Sequence, residues 1–356
     1  MIKEKQKGRG AQSNPKNRFE KLYLEDLEED YEFFDDNEGG LKKIETIFYK
    51  DDSKSVISKN DSYDLDFNYS FNPYRGCEHG CVYCYARPTH EYLGFSSGTD
   101  FESKIIIKEN AASLLENEFN KKSYKPDVIM FSGNTDCYQP VERKLQITRR
   151  ALKICLDYRN PVSIVTKNSL IERDIDILKE LARLNLVSVL MSITTLDKKI
   201  TGSMEPRTST PERRLKTIKK LSENKIPSGV NLAPIIPGLN DEEIPVILKE
   251  VASHGGILAR HSMIRLPYSV KEIFIEWIKN EFPERSSKIL NKIREIHGGK
   301  LNENEFGKRF TGEGKLAGTI NNLFEIACNK HHLNEERTRL NVNSFRRIKN
   351  NQFEIF

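Results

Sequence analysis

Apolar and polar positions repeat in an ordered way from about residue 66 onward, and the order predicts alternating strands and helices. Apolar runs rich in β-branched residues predict strands in DFNYSFNPY, DVIMFSGN, PVSIVTKN, LVSVLMSITTL, PSGVNLAPIIPGLN and ILARHSMIRLP. Apolar residues three or four positions apart predict helices in IKENAASLLENEFNK, ERKLQITRRALKICLDY, IERDIDILKELARLN, PERRLKTIKKLSENK and EIPVILKEVASHG. This rhythm implies a parallel sheet with right-handed crossovers. The predicted fold class is α/β, a partial TIM-like (β/α)6 barrel over residues 66–270.

The segments outside this core have different patterns. Residues 271–330 are predicted to be a helical C-terminal extension, and residues 331–356 a basic tail. Residues 1–65 form a polar N-terminal extension, expected to be partly disordered. It is basic up to residue 18 and strongly acidic over 20–38. The extension is interpreted either as mobile or as an arm that docks on the domain or on an acidic partner.

Composition and charge narrow the class of protein. The net charge of +5 permits a nucleic-acid partner without requiring one. No apolar run is long enough to span a membrane, and the N-terminus lacks the apolar region of a secretory signal, so a cytoplasmic location is expected. Six cysteines are too few for a disulfide scaffold in 356 residues, and three of them crowd together. That crowding indicates metal binding or redox chemistry.

The three crowded cysteines are Cys77, Cys81 and Cys84, in FNPYRGCEHGCVYCYARPTHEY. Three thiolates this close can bind three corners of a cubane iron–sulfur cluster, and one iron then lacks a protein ligand. Two other interpretations stay open. One is a zinc site with His79 or His90 as the fourth ligand. The other is a thiol oxidoreductase, which the lack of a following thioredoxin-like βαβ unit disfavours.

Cys-x3-Cys-x-aromatic-Cys after the first strand of a βα barrel, with Tyr83 as the aromatic residue, resembles the radical S-adenosylmethionine (SAM) superfamily. The resemblance implies a [4Fe–4S] cluster on Cys77, Cys81 and Cys84, with SAM on the open iron and cleaved reductively. It also implies an electron donor such as flavodoxin or ferredoxin. The cysteine loop, the turn Asn134–Asp136, LAPIIPGLND and EPRTSTPERRL resemble the group related to spore photoproduct lyase. The stretches GRGAQSNPKNRFE and NEFGKRFTGEGKLAG resemble a bacterial branch of that group.

Ligands of parallel α/β folds bind at the carboxyl ends of the strands, so the SAM site is expected there. By resemblance, the turn after the second strand holds the SAM amino group, and the alternative is an ordinary polar turn. Lys167, after the third strand, is interpreted either as a point charge that pairs with the SAM carboxylate or as a solvated lysine. After the fourth strand, the hydroxyls of Ser192 and Thr194 are interpreted either as contacts of the ribose or carboxylate or as helix caps. After the fifth strand, Ala233 and Ile236 would suit an adenine ring. Arg207 is interpreted either as a carboxylate clamp or as an ion-pair partner of Glu205. The cofactor-binding candidates are Tyr83, Ser132, Gly133, Asn134, Thr135, Asp136, Lys167, Ser192, Thr194, Arg207, Ala233 and Ile236.

The substrate is not identified by the sequence. Spore photoproduct lyase repairs a thymine lesion in DNA, and the resemblance implies that Gly133 occupies the place of its hydrogen-donor cysteine. Cys137, with Tyr138 next to it, is the candidate catalytic substitute, and the alternative is that Cys137 is a buried thiol. The candidate DNA contacts are Lys308, Arg309, Arg346, Arg347 and Lys349. The acidic segment 20–38 would oppose them unless it folds away.

Three functions therefore stay open. The first is a radical SAM enzyme with an unidentified substrate, the second is repair of a DNA lesion, and the third is a non-catalytic iron–sulfur scaffold or sensor.

Overall fold

The structure is a computed structural model, and it describes residues 8–19, 44–335 and 339–348. The strands in this part are β1 (Ile47–Lys50), β2 (Ile57–Lys59), β3 (Tyr69–Phe71), β4 (Tyr74–Arg75), β5 (Lys104–Ile107), β6 (Ile129–Phe131), β7 (Val162–Thr166), β8 (Val187–Ser192), β9 (Ser228–Ile235) and β10 (Leu258–Met263). The α-helices are α1 (Thr99–Ser103), α2 (Ala111–Asn120), α3 (Glu142–Leu145), α4 (Ile147–Tyr158), α5 (Ile175–Arg183), α6 (Lys198–Met204), α7 (Pro211–Glu223), α8 (Ile244–Ser253), α9 (Val270–Glu281), α10 (Ser286–Glu295) and α11 (Gly314–Lys330). Short 3-10 helices form at Arg87–Leu93, Ser169–Asp174 and Asp241–Glu243.

The main sheet has seven strands in the order β10-β9-β8-β7-β6-β3-β2. Strands β3, β6, β7, β8, β9 and β10 are parallel, and β2 pairs antiparallel with β3 at one edge. Helices connect the consecutive parallel strands, as expected when crossovers return the chain to the same end of a sheet. The predicted α/β class and six-stranded partial barrel are confirmed. The antiparallel edge strand β2 was not predicted.

A row of large side chains runs across the sheet and fixes its register. Phe71 pairs with Phe131, Phe131 with Ile164, and Ile164 with Val189 in neighbouring strands. All four side chains are fully buried, and the Phe71 and Phe131 ring centroids are 4.5 Å apart. A shift of one residue in any strand would turn its buried set to the opposite face. The register therefore aligns the carboxyl ends of these strands.

The helix predicted over ERKLQITRRALKICLDY is wrong as a single helix. It breaks at Gln146, where φ is 51°, and α4 begins at the next residue. The buried Glu142 carboxylate accepts hydrogen bonds from Ile147 N–H at 3.0 Å and Thr148 N–H at 3.1 Å, which satisfies the first turn of α4. The apolar spacing continues across the break, so periodicity could not reveal it.

Two further boundaries differ from the expectation. Strand β9 continues to Ile235, so Ala233 lies within the strand and not after it. The predicted helical extension is interrupted, because residues 297–313 between α10 and α11 contain only turns and irregular structure. Turns with glycines at positive φ, such as Gly299 and Gly312, explain the interruption.

A second, three-stranded sheet leads the chain into the cysteines. Its order is β1-β5-β4, with β4 antiparallel to β5. On the other side of the cysteines, Cys81, Val82 and Tyr83 share a hydrophobic cluster with residues of α9 and α10, among them Trp277 and Ile289. The C-terminal helices therefore pack against the cysteine loop.

Residues 339–348 pack at the opposite end of the barrel. The Phe345 ring lies against Phe119 and Tyr158, and Arg346 N–H donates to the Tyr158 carbonyl at 2.9 Å. Tyr158 is the last residue of α4, which leads into the start of β7. The basic tail is thus at the amino edge of the sheet, away from the cysteines. Lys349 and the acidic segment 20–38 lie outside the described residues.

None of the helices in the described part of the chain has the length and apolar character needed to cross a bilayer.

Candidate functional site

The three cysteines lie on a loop of consecutive tight turns after β4. Gly80 N–H donates to the Cys77 carbonyl and Cys84 N–H to the Cys81 carbonyl, each at 3.3 Å. Gly76 and Gly80 have φ of 78° and 66°, in a region that side chains with a Cβ rarely adopt. All three thiols are free, with Cys77 and Cys81 buried and Cys84 partly exposed. The loop therefore brings three thiols to one surface.

Electrostatics connect the three thiols to one another. Burial raises the pKa of the Cys77 thiol, and the neighbouring Asp136, Cys81 and Cys84 raise it further. Burial raises the pKa of Cys81 to about 12, with Lys167 opposing the shift. Metal binding requires thiolates, and a bound metal removes the thiol proton. These thiols therefore exchange protons for metal when a metal binds.

The two histidines considered as zinc ligands have other partners. His79 Nδ1 lies 3.3 Å from the Asp136 carboxylate, and His79 Nε2 lies 3.4 Å from the Asn168 amide. His90 Nε2 lies 2.9 Å from the Lys104 carbonyl, and its ring packs near Phe101. Within the described ranges, no group of three or more His, Cys, Asp and Glu side chains is arranged to hold a single metal ion.

The buried carboxylate of Glu102 is linked to the cysteine loop through Arg87. Glu102 is fully buried, and its Oε1 accepts a hydrogen bond from Arg87 Nη2 at 2.5 Å. Arg87 is also fully buried, and its Nε donates to the Cys81 carbonyl at 2.9 Å. One ion pair thus connects Glu102 to the backbone of the second cysteine.

The N-terminal arm, residues 8–19, binds the same carboxylate. Gly10 N–H donates to Glu102 Oε2 at 3.0 Å, and Ala11 N–H to Oε1 at 2.8 Å. Gly10 lies so close to the loop that a Cβ on it would be 1.7 Å from the Gly80 carbonyl oxygen. Of the two interpretations of the basic N-terminus, these residues adopt the docked one. Sequence reasoning missed Glu102 and Arg87.

The turn after β6 lies next to the cysteine loop. Ser132 has φ of 71°, and the Asn72 side-chain oxygen accepts from Asn134 N–H at 2.8 Å. Thr135 Oγ1 donates to the Tyr74 carbonyl at 2.8 Å. The hydroxyl of Tyr85, the residue after Cys84, donates to the Gly133 carbonyl. The structure therefore brings the predicted turn and the cysteines together.

Asp136 joins this turn to the next strand and to the cysteine loop. Its carboxylate accepts from Thr166 Oγ1 and Lys167 N–H, both at 2.8 Å, and from Tyr138 N–H at 2.9 Å. Burial disfavours the charged form, but His79 and the backbone N–H groups outweigh it and lower the pKa of Asp136 to about 2. Asp136 is therefore an ionised structural acceptor.

A second buried carboxylate, Glu205, lies beside Tyr83. It pairs with Arg214 Nη2 at 2.5 Å, accepts from Thr194 Oγ1 at 2.6 Å and accepts from the Tyr83 hydroxyl. Burial again opposes ionisation, but Arg214 and Lys167 lower the pKa of Glu205 to about 2. Arg214 also donates to the Ser192 carbonyl at 2.8 Å. Sequence reasoning missed Arg214, although its place between buried Pro211 and Leu215 on an otherwise amphipathic helix was a signal.

Lys167 and Arg207 occupy different environments. The Lys167 ammonium lies 5.6 Å from the Tyr83 ring centroid, and no hydrogen bond or ion pair of its Nζ forms within the described part of the chain. Burial acts to lower the pKa of Lys167, but Cys81 and Glu205 raise it overall. Arg207 pairs with Glu78 at 3.1 Å. The interpretation of Arg207 as the partner of Glu205 is wrong, because Glu205 pairs with Arg214.

The remaining predicted residues divide between the rim and the core. Ala233 accepts weakly from Thr194 Oγ1 at 3.4 Å, and buried Ile236 packs in the same cluster as Cys81 and Tyr83. Cys137 and Tyr138 are fully buried in the main core. The Tyr138 hydroxyl donates to Asp174 at 3.1 Å. Of the two interpretations of Cys137, the structure therefore favours the buried thiol over the catalytic hydrogen donor.

A cavity of about 290 Å³ opens on the outer side of this rim, and none of the cysteines lines it. Its lining is Pro140, Arg143, Asn168, Ser169, Leu170, Arg207, Thr208 and Ser209.

The family model of the radical SAM superfamily matches residues 71–251 of this chain. A protein of Mycobacterium tuberculosis is 33% identical over 235 residues, which are 65% of this chain and 68% of that protein. A protein of Methanocaldococcus jannaschii is 33% identical over 175 residues, which are 49% of this chain and 63% of that protein.

Solved structures of spore photoproduct lyase share the fold. A complex with dinucleoside spore photoproduct has a TM-score of 0.57 at 15% identity and covers 77% of this chain and 76% of that chain. A double mutant with bound AdoMet and dinucleoside spore photoproduct has a TM-score of 0.58 at 15% identity, covering 80% and 78%.

We predict that Gly10→Ala displaces the arm and loosens the cysteine loop, because the added methyl group meets the Gly80 carbonyl oxygen at 1.7 Å. Hydrogen–deuterium exchange of residues 77–84 should be at least severalfold faster in this variant. Gly318→Ala, in α11 with no atom within 4 Å of the added Cβ, is the matched control and should leave the loop unchanged. Equal loop protection in Gly10→Ala and the parent chain would contradict the role of the arm.

We predict that Glu205→Gln flattens the acid dependence of stability. The usual pKa of Glu205 is 4.5 and its folded pKa is about 2, so its charge stabilises the fold above pH 4.5 and that contribution is lost as the pH falls toward 2. In the parent chain this group contributes a slope of up to about 1.4 kcal/mol per pH unit to the free energy of unfolding. Urea titrations between pH 6 and 3 measure the difference.

The variant should also be less stable at pH 7, because Arg214 is left buried without its carboxylate. Glu223→Gln, at the exposed end of α7, serves as the control. Identical pH slopes for Glu205→Gln and this control would refute the assignment.

Proposed function

Since this chain belongs to the radical SAM superfamily, we propose that Cys77, Cys81 and Cys84 hold a [4Fe–4S] cluster and that SAM binds at its remaining iron. The observation that carries the proposal is the loop itself, which carries three free thiols and contacts the turn after β6 through Tyr85 and His79. A cubane places each thiolate on a different iron, so its ligands need not converge on one point as those of a single ion do. When bound, the cluster and SAM supply reductive cleavage of the sulfonium and a 5′-deoxyadenosyl radical.

The chain is a radical SAM enzyme. We propose that a cation of the chain binds the SAM carboxylate and that neutral groups bind its amino group and adenine. Lys167 is the proposed partner of the SAM carboxylate, because its ammonium stays protonated and has no carboxylate partner of its own in the described ranges. The carbonyls of the turn at Ser132 and Gly133 are the proposed acceptors for the amino group. Ala233 and Ile236 offer the apolar surface proposed for adenine.

Tyr83 and Thr194 are proposed to shape this site through Glu205. Both hydroxyls donate to that carboxylate, so their orientations are fixed before any ligand arrives. Arg207 is proposed to support the loop from outside, since it pairs with Glu78 between the first two cysteines. The reaction also requires a one-electron donor, for which flavodoxin or ferredoxin are the proposed partners.

Four of the basic residues that were candidates for DNA contacts bind other groups of this chain, which weakens the DNA-repair alternative. Arg346 and Arg347 donate to the carbonyls of Asp157 and Lys121 at the far end of the barrel. Arg309 forms two hydrogen bonds with Asp64, and Lys308 pairs with Glu305 at 2.8 Å. These four side chains are engaged within the chain, so the substrate is left unassigned in the proposal.

We predict that Cys81→Ala abolishes SAM cleavage. Protein purified without oxygen should contain about four iron atoms per chain and, once reduced, should release 5′-deoxyadenosine from SAM. Cys81→Ala should contain little iron, because one corner of the cluster has no ligand. Its rate of 5′-deoxyadenosine release should fall at least about 100-fold. Cys155→Ala, a buried thiol of α4 outside the loop, is the matched control and should retain both.

Chromatography and metal analysis separate the alternatives. A colourless protein that contains zinc would overturn the cluster. A protein with four irons that never cleaves SAM would support the scaffold or sensor function instead. DNA binding whose affinity falls steeply with salt would favour repair.

A further inference from the structure

An arginine just after the last strand, β10, lies at the same rim as the cysteines. Arg265 follows the end of β10, where Ile264 N–H still donates to the Ile235 carbonyl of β9 at 2.9 Å. Its guanidinium carbon lies 5.8 Å from the ring centroid of Tyr85. Tyr85 follows Cys84 and donates to the Gly133 carbonyl, in the turn proposed to bind SAM. Arg265 therefore lies at the carboxyl edge of the sheet, next to the proposed SAM site.

Arg265 forms no ion pair within the described part of the chain. Its Nε is buried and without a hydrogen-bond partner, and none of the carboxylates in the described part of the chain lies within ion-pair distance of it. The charged groups that act on it are the cation Arg309 and the carboxylate of Asp64, and Asp64 is already paired with Arg309 at 2.5 Å. Burial and then Arg309 lower the pKa of Arg265. A partly buried cation without a counter-ion is costly to the fold.

Three other arginines around the cysteine loop differ from Arg265, because each of them pairs with a carboxylate. Arg87 pairs with Glu102, Arg207 with Glu78 and Arg214 with Glu205. Each of these cations holds a piece of the loop or its surroundings through a carboxylate. Arg265 instead lies beside two aromatic rings, those of Tyr85 and of Phe310, the latter with its centroid 5.0 Å away. Rings on a guanidinium restrict its plane but leave its N–H donors free for a ligand.

We infer that Arg265 is a substrate-binding residue that takes an oxyanion, either a carboxylate or a phosphate. The inference rests on the proposed function, because it assigns Lys167 to SAM and leaves Arg265 for the second reactant. A guanidinium presents parallel donors that match both kinds of oxyanion. Arg265 is partly exposed and its neighbour Tyr85 is 48% exposed, so a dissolved ligand can reach this part of the rim. The substrate class is therefore an anionic molecule or an anionic group of a larger one.

The test compares Arg265→Met with Arg260→Met in the cluster-loaded protein. Arg260 is the matched control, since it lies on β10, the strand that Arg265 follows, is 54% exposed at its side chain and pairs with Asp66 at 3.1 Å. The probes are sodium phosphate and sodium succinate, each compared with sodium chloride at equal ionic strength. The readout is the melting temperature.

One of the two probes should raise the melting temperature of the parent chain by at least about 2 °C, because a ligand that binds only the folded state stabilises it. Arg260→Met should keep that rise and Arg265→Met should lose it. A response to phosphate alone indicates a phosphorylated substrate, and a response to succinate alone indicates a carboxylate. In chloride, Arg265→Met should melt no lower than the parent chain, since it removes an uncompensated charge.

Three results would overturn the inference. They are no rise in the parent chain with either probe, an equal rise in Arg265→Met, or a lower melting temperature of Arg265→Met in chloride. The proposed function fails on different measurements, namely the iron content and 5′-deoxyadenosine release of the parent chain. The two failures are therefore distinguishable.

Discussion

The carboxylate of Glu102 is the contact on which the cysteine loop depends. Its two oxygens accept from Arg87 and from two backbone N–H groups of the N-terminal arm, and Arg87 continues to the Cys81 carbonyl. Because the carboxylate is fully buried, loss of any one donor would leave charge or polar atoms unpaired at a cost of about 1–3 kcal/mol or more. The arm, the loop and the segment that carries Glu102 therefore stabilise one another, and the position of the thiols depends on all three.

Asp136 and Glu205 repeat this arrangement on the inner side of the loop. Asp136 connects the turn after β6, the end of β7 and His79, while Glu205 connects Tyr83, Thr194 and Arg214. A carboxylate suits this task because it only accepts hydrogen bonds and has two oxygens for donors from separate elements. Their low pKa values keep them charged across physiological pH. The rim is therefore held by ionic contacts whose strength does not vary with ordinary changes of pH.

The features that the sequence predicted well depend on residues close together in the chain. The contacts that it missed join residues far apart in the chain. The strands and helices follow from apolar spacing within a dozen residues, and the cysteine spacing is read from eight. Glu102 gave no such sign, because its partners Gly10 and Ala11 lie 92 and 91 residues away. Glu205 and Arg207 are close in sequence, yet they face different sides of the loop and pair with other residues. The break at Gln146 escaped because a buried side-chain cap leaves the apolar period unchanged.

The balance of charge around the loop separates structural cations from those available to ligands. Arg87, Arg207 and Arg214 are neutralised by carboxylates of the chain. Lys167 and Arg265 are not, within the described residues, and both lie on the rim where strands end. In the proposed site, metal binding would convert the loop thiols to anions, and SAM would add a carboxylate beside them. Lys167, whose charge acts on Cys81, would offset part of that negative charge. The proposed ligands and Lys167 would then balance one another's charge. Arg265 lies farther along the rim, beside Tyr85, and its charge is left for a group that arrives separately.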